Sequence, residues 1–524
     1  MGYRPKESSK WLPLLMSVLL FAGCKQVDLI QCDNCYAITN TNVIDVAQGH
    51  ADTAMTLVIQ DNHILEVGNM AMMDIPKEIP TIDGRGKFVI PGLWDMHVHS
   101  SLDTITRTIL FPLLIANGVT GIRNMKADCY DEEYPCAKYN DVSINTAKQW
   151  RTEITEGRLL GPRTILGSQM VNGPRNDSST VLSPGTPEHG RALVRFLKER
   201  GVDFIKVYEE LPRDVYFAVA EEAKKQHIVF AGHVTYTIKA SEAAKAGQKS
   251  IEHCCEGNIM DECTTLEDEL RKKWAAAVEK ETYDLGKLIL EMEATYDAGK
   301  CDRLFEEFVK YNTWFTPTLL VSESRYPYYF DWKTDKRLAY IPKSEQELWQ
   351  KWNDEFDDVF GLWDETKQKT MRKRRFEIVR AMHQKGVPLL AGSDAGESGI
   401  FWGSSLHEEL DLMVEAGLGA PEVLKTATLN PAIFLEATDS LGTISKGKLA
   451  DIVVLDANPL LDIRNTRKIN AVVVNGRYLD KAALDSILRH VALNVRSRYT
   501  PTPLWKQNPG ANKNFHSSTP TTTY

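Results

Sequence analysis

The sequence predicts an α/β chain: a (β/α)₈ TIM barrel with a small β-sandwich built from both chain ends. Three observations carry this expectation. Short β-branched runs broken by turn signals occupy residues 37–91, and the same texture returns only at 441–495. Between them, a helix ending in glycine followed by a short apolar run recurs, as in ANGVTGIRNM, ERGVDFIKVY, KAGQKSIEH and QKGVPLLAGSD. Polar residues of metal-binding type stand at the ends of several of those apolar runs.

The chain begins with a segment of a different kind. Arg4, Lys6 and Lys10 precede a short apolar stretch from Trp11 to Phe21, then Ala22, Gly23 and Cys24. A spanning helix needs roughly 20 apolar residues, more than this run supplies, so residues 1–23 are expected to act as a signal peptide. Residues 20–24 (LFAGC) resemble the lipobox of bacterial lipoproteins, with Phe21 where leucine is usual. That resemblance implies lipidation at Cys24, export, and attachment through a lipid anchor to a bacterial membrane, on the periplasmic or outer-membrane side. No later segment is apolar enough to span a bilayer.

Net charge is −9 over 524 residues, which disfavours a nucleic-acid partner, because phosphate recognition needs a basic face. Apart from Cys24 there are eight cysteines, an even number that invites disulfides in an exported protein. Cys129 with Cys136 is the favoured pair. Cys32-x-x-Cys35 lacks the second half of a zinc knuckle.

The two β-rich segments each hold too few strands to bury a core alone, so one composite unit from 37–91 and 441–495 is expected. In the middle region, 92–440, eight strands are expected at 93–97, 119–125, 163–167, 203–208, 228–233, 249–253, 315–320 and 388–394. Gly118, Gly201, Gly247 and Gly386 suit the left-handed residue that ends a helix before the next strand. Eight βα units favour a closed barrel over an open sheet, and no phosphate-type glycine fingerprint follows the first strand. Two stretches, about 254–312 and 322–385, are too long for simple connections. They read as helical insertions, the second rich in aromatics (Tyr326, Tyr328, Tyr329, Trp332, Trp349, Trp352, Trp363), and insertions after barrel strands tend to cover the functional face. Residues 499–524 are Pro-, Thr- and Asn-rich and are expected to form a disordered tail.

The chemistry lies at the strand ends. His97 and His99 alternate on the exit of the first strand, so both imidazoles face one side. Lys206 sits inside the apolar run FIKVY, where an unpaired ammonium is costly. His233, His253 and Asp394 close the fifth, sixth and eighth strands. Each alone has an ordinary structural explanation, such as a hydrogen-bonded histidine, a helix-capping aspartate or a salt-bridged lysine. Six together at one rim point to a metal site.

With these residues in view, the chain resembles the amidohydrolase superfamily, in particular its imidazolonepropionase- and prolidase-like branch. The resemblance runs over about 37–495 and is carried by VIPGLWDMHVH, FIKVYEE, AGHV, SIEH, GSDAG, SLHEEL, TLNPA and GKLADIVVLDANP. It implies that His97, His99 and Asp394 hold one divalent ion and His233 and His253 a second. Lys206, carboxylated on its side-chain nitrogen, bridges the two, and Asp394 serves as general acid and base. Nitrogen and oxygen donors suit zinc first. The implied reaction is cleavage of an amide C–N bond in a small molecule, a dipeptide or an N-acyl amino acid. Two other readings stay open: a mononuclear deaminase or deacetylase on the same barrel, and a non-catalytic ligand-binding surface lipoprotein. Candidate substrate contacts near strand ends are Arg123, Tyr208, Asn172 and His407, with Arg123 able either to bind a carboxylate or to brace Asp103 or Glu209. Oligomeric state is not legible.

Overall fold

The alternating runs of the N-terminal segment form antiparallel strands, Cys35–Asp45, His50–Gln60 and His63–Asn69, each paired with the next. The computed structural model describes residues 1–2, 32–129, 142–173, 181–255, 259–280, 285–324, 331–360 and 364–498. Residues 3–31, which hold most of the expected signal peptide and Cys24, the residues Cys136, Tyr326, Tyr328, Tyr329 and Trp363, and the stretch from 499 lie outside the described residues.

Phe88–Pro91 is the hinge of the composite unit. It pairs in parallel with Cys35–Asp45 and antiparallel with Ile452–Leu455, and Ile469–Val474 and Arg477–Asp480 follow. Both chain ends therefore share one eight-stranded ladder, with Thr81–Asp83 added beside the first strand. Cys35–Asp45 and Arg477–Asp480 lie four positions apart in the ladder, which in a flat sheet would be about 19 Å at about 4.8 Å per strand. Instead the rings of Tyr36 and Tyr478 are 6.1 Å apart, and the Tyr36 hydroxyl donates to the Gly476 carbonyl at 3.0 Å. The sheet rolls back on itself around Ile38, Leu57, Ile59, Ile452, Ala471 and Val473. Two facing layers were expected from the sequence, and one continuous rolled ladder joins them.

In the middle region the strands are parallel. Leu93–Val98, Val119–Asn124 and Arg163–Leu166 form a three-stranded sheet. Phe204–Val207, Val229–Gly232, Ser250–Glu252 and Trp314–Thr316 form a second, extended at one edge by the short strands Met170–Val171 and Val181–Leu182. Parallel bridges Gly167–Phe204, Phe315–Leu389 and Val98–Ala395 connect these sheets in series and lead back to the first strand.

The segment 388–394 departs from expectation, because it makes no continuous strand. It is still tied on both sides. Phe315 and Leu390 donate to the carbonyls of Pro388 and Phe315, and Met96 and Asp394 donate to those of Ala391 and His97, at 2.8–3.0 Å. Gly392 explains the irregularity: a Cβ there would lie 2.6 Å from Thr316 Cγ2 and 2.8 Å from His97 Cβ. The neighbouring strands close on its bare backbone, and the chain leaves the pleat in a left-handed turn at Asp394, φ 61°.

Helices occupy both expected insertions, including Glu267–Lys280, Ala298–Tyr311, Lys343–Phe360 and Glu365–Lys385. Lys343–Phe360 is fixed to the loop after Asp394: Trp349 Nε1 donates to the Gly396 carbonyl at 3.1 Å, and Ser398 Oγ to the Trp349 carbonyl at 2.9 Å. Trp332 and Trp349 are buried edge to face against each other, and Trp349 packs in the same way on Phe401. These two tryptophans are packing groups and present no open surface to a ligand. Disulfides join Cys32 to Cys35 and Cys263 to Cys301. Among the described residues no helix is long and apolar enough to cross a membrane.

Candidate metal centre

Parallel strands that end at one rim bring residues distant in sequence within a few ångströms. The imidazoles of His99, His97, His253 and His233 form a continuous arc, with successive ring centroids 5.4, 4.7 and 4.6 Å apart. Asp394 faces the arc: its Oδ1 lies 3.4 Å from His97 Nε2 and 3.0 Å from His99 Nε2, and its Oδ2 lies 3.5 Å from His253 Nδ1. Lys206 is buried, and its stem crosses Gly232, where an added Cβ would stand 3.1 Å from Lys206 Cδ.

Three partners that the sequence reading did not single out fix the orientation of the rings. Glu252 Oε2 accepts from His97 Nδ1 at 3.1 Å, Glu209 Oε1 from His233 Nδ1 at 2.8 Å, and Thr318 Oγ1 is 2.8 Å from His253 Nδ1. Metal-binding histidines characteristically use one ring nitrogen in this way, which leaves the other free to face the ion. Glu209 is itself held by the Tyr236 hydroxyl, and Glu252 by Ser250. His253, Thr318 and Asp394 all have left-handed backbones, φ 66°, 43° and 61°. Such conformations cost about 1–3 kcal/mol each for non-glycine residues and gather where a site is held in one geometry.

Electrostatics agree with neutral ligands around a charged carboxylate. Burial pushes the His97 imidazole down to about 4 and lowers those of His233 and His253, so all three are neutral near pH 7. Burial pushes the Lys206 ammonium down to about 8. For Asp394 burial acts upward, but the His97, His99 and His253 rings outweigh it and hold the carboxyl well below its ordinary range.

His97 Nε2 is buried without a hydrogen-bond partner, 3.4 Å from the buried Asp394 Oδ1, which His99 Nε2 approaches at 3.0 Å. With Nδ1 hydrogen-bonded to Glu252, Nε2 presents a lone pair toward a carboxylate oxygen. Two acceptors facing at 3.4 Å out of reach of solvent are unfavourable unless a cation lies between them. The donor set fits a divalent ion. Ligand atoms of His97, His253 and Asp394 lie within 4.8 Å of one another, and so do those of His99, Asp394 and Glu397.

Three of the four expected substrate contacts are engaged by the protein itself. Arg123 lies one pleat below the rim and is 1% exposed. Its guanidinium donates to the Met96 carbonyl at 2.6 Å, Ser250 Oγ at 2.8 Å and Glu252 Oε2 at 2.7 Å. It braces Glu252, neither Asp103 nor Glu209, from a buried position. His407 is buried with both ring nitrogens engaged, to Thr466 Oγ1 at 2.9 Å and the Asn117 carbonyl at 3.0 Å. Asn117 precedes the strand Val119–Asn124, so His407 belongs to the end of the fold opposite the rim. Asn172 is buried and accepts from the Glu210 amide at 2.7 Å, anchoring the loop that carries Tyr208 and Glu209. Tyr208 alone of the four faces the centre, with its ring centroid 4.3 Å from that of His233.

Known proteins share parts of the sequence and the fold. A stretch of 94 residues is 35% identical to an imidazolonepropionase of Caldanaerobacter subterraneus subsp. tengcongensis, covering 17% of this chain and 21% of that protein. The chain thus spans about a fifth of that relative. The fold is similar to that of a bottromycin amidohydrolase, with a TM-score of 0.66, 19% identity, and coverage of 89% of this chain and 91% of the other. It is also similar to a Xaa-Pro dipeptidase solved with methionine in its active site, with a TM-score of 0.56, 20% identity, and coverage of 85% and 100%. The model of the amidohydrolase family matches residues 88–479, from the hinge strand through the four-histidine arc and Asp394 to the last strand of the rolled sheet, and the chain belongs to that family.

Proposed function

We propose that the protein is a metal-dependent hydrolase of C–N bonds, acting on the amide of a dipeptide or N-acyl amino acid at the mouth of a closed (β/α)₈ barrel flanked by a small β-sandwich. The observation that carries this reading is the buried pair of facing acceptors, Asp394 Oδ1 and the His97 Nε2 that has no hydrogen-bond partner. His97, His99, His233, His253 and Asp394 would hold two divalent ions, zinc being the first choice for this donor set. Lys206 as a carbamate would supply an anionic bridge where a bare ammonium would repel cations. Bound ions would acidify a shared water and polarise the scissile carbonyl.

The chain's own residues do the rest. Asp394, held ionised, accepts the proton of the attacking water and returns it to the departing nitrogen. Glu252, Glu209 and Thr318 keep the imidazoles aimed, and Arg123 keeps Glu252 charged and in place. Tyr208, stacked beside His233, lines the space a substrate side chain would enter. The fold likeness to the Xaa-Pro dipeptidase supports the choice of a peptide-like amide.

The reading is tested by incubating purified, metal-replete protein with a panel of dipeptides and N-acyl amino acids and measuring amine release. Hydrolysis that a chelator stops is expected. Metal-replete protein that releases amine from no member of the panel contradicts the reading.

Residues 1–24 support a second proposal, that the protein is exported and held at a bacterial membrane by acylation of Cys24. A Cys24→Ser variant is then expected in the soluble fraction, because acyl burial contributes about 0.8 kcal/mol per methylene and no polybasic patch assists it. A processed variant that stays with membranes in high salt contradicts the proposal.

A further inference from the structure

We propose that Glu409, a buried carboxyl in the SLHEEL segment, is a positioning residue for His253, acting through the turn at residues 317–320. The proposal rests on the metal-dependent reading above. Glu409 lies on the helix Ser404–Glu415 and is 0% exposed. Its Oε1 accepts from the Leu319 amide at 2.9 Å and its Oε2 from the Leu320 amide at 2.8 Å. Both oxygens are thus engaged at the start of the short helix Leu319–Ser324. Such a start is ordinarily capped by a small polar residue just before it, whereas here the acceptor comes from 90 residues along the chain. A carboxyl is held there against its surroundings. Burial pushes it up to about 8 and the nearby Asp95 and Glu323 carboxylates push the same way, while the two amides pull it back.

What this clamp fixes is the segment immediately before the helix. The strand Trp314–Thr316 runs beside Ser250–Glu252, and past its end the two chains stay joined. The His253 amide donates to the Thr316 carbonyl at 2.9 Å, and the Cys254 amide to the Pro317 carbonyl at 2.8 Å. Thr318 then turns left-handed at φ 43°, a conformation that β-branched residues rarely adopt, and its Oγ1 stands 2.8 Å from His253 Nδ1. His253 is left-handed as well, at φ 66°. Two left-handed residues therefore meet across one hydrogen bond, and Glu409 holds the backbone on its far side.

The residue type matters. A carboxyl offers an acceptor to each of two adjacent amides, and glutamine offers one acceptor and turns a donor toward the other. Leu319 and Leu320 are buried, so an amide deprived of its acceptor there finds no water in its place. The turn then relaxes, the Thr318 hydroxyl moves, and the His253 ring loses the partner that sets its tautomer and its aim.

The test is titration of metal-stripped full-length protein with zinc against a competing chromophoric chelator, for wild type, Glu409→Gln, Thr318→Val and the double variant. Wild type is expected to bind two ions. Each single variant should weaken at least one zinc Kd about tenfold, the lower end for losing a group that orients a metal-binding histidine. Because both residues act along one route, the double variant should be no more than about twofold weaker than the weaker single one. A carboxyl that only stabilises its helix would lower the melting temperature of the stripped variant and leave the zinc affinities unchanged. If Glu409→Gln does not fold, Glu409→Asp replaces it, keeping the carboxyl but falling one methylene short of the amides. Zinc Kd values within about twofold of wild type in either single variant overturn the positioning role alone. So does a double variant about a hundredfold weaker, as two independent losses would give. A wild type that binds no divalent ion overturns both the role and the reading on which it rests.

Discussion

Asp394→Asn is expected to fold normally and to lose at least about 10²–10⁴ in kcat, the usual contribution of a positioned acid–base group. The substitution nearly conserves shape. Asparagine also tolerates the left-handed backbone that residue 394 adopts at φ 61°, so the turn toward Glu397 should survive. What is lost is chemical: an amide has no oxygen basic enough to take a proton from water near neutrality. The Asp394 carboxyl is held ionised by the three surrounding imidazoles, and among the described residues no other carboxylate is paired with both His97 and His99. Turnover measured beside metal content decides the matter. A variant that retains its metal and turns over within tenfold of wild type would remove Asp394 from the proton path.

Arg123→Met is expected to destabilise the protein by about 3–5 kcal/mol, the range for removing one partner of a buried ion pair. Arg123 and Glu252 are 1% and 0% exposed in their side chains, with Nη2 and Oε2 2.7 Å apart. For Glu252 burial acts upward, but the guanidinium and the His97 hydrogen bond hold its carboxyl below the ordinary range. Without Arg123 the carboxylate must take up a proton or remain uncompensated, and either outcome weakens its hold on His97 Nδ1. Adding Glu252→Gln to Arg123→Met should restore part of the stability, because the orphaned charge is then gone. Urea unfolding of the single and double variants measures both effects. If Arg123→Met unfolds within about 1 kcal/mol of wild type and selectively loses substrates with a free carboxylate, Arg123 contacts substrate after all.

What was legible in the sequence follows from local rules. A strand alternates its side chains, so His-x-His at a strand exit places two imidazoles on one side. Parallel βα units place every strand end at one rim, and His97, His99, His233, His253 and Asp394 could be gathered from those two facts alone. The same rules misplaced Arg123. It shares the strand's inward face, but depth along a strand decides whether an inward side chain meets the rim or the layer below, and Arg123 lies in that layer beside Ser250 and Glu252. His407 shows the other limit: a polar residue that opens a helix after the last strand can face either end of the fold, and only the position of Asn117 settles which.

The partners that orient the rings were hidden for a different reason. Glu252 stands next to His253 in sequence but serves His97 from across the fold, and Glu209 reaches His233 from the neighbouring strand's loop. Such pairings depend on which strands end up adjacent, and no periodicity encodes that. The missing eighth strand was hidden likewise. PLLAGSD reads as an apolar run ending in a polar residue, and Gly392 looks like a routine turn glycine until two neighbouring strands are found pressed against its backbone.

A two-ion metal centre bridged by Lys206 shows itself in the elemental analysis of purified wild type and Lys206→Ala. Close to two divalent ions per chain are expected in wild type and about one or none in the variant, with both proteins folded. Lys206 is buried beside Gly232 and near the charges of Glu252 and Asp394, so its removal should be felt in the metal count before it is felt anywhere else. About one ion per chain in wild type, unchanged in Lys206→Ala, would contradict the bridge and the two-ion centre together.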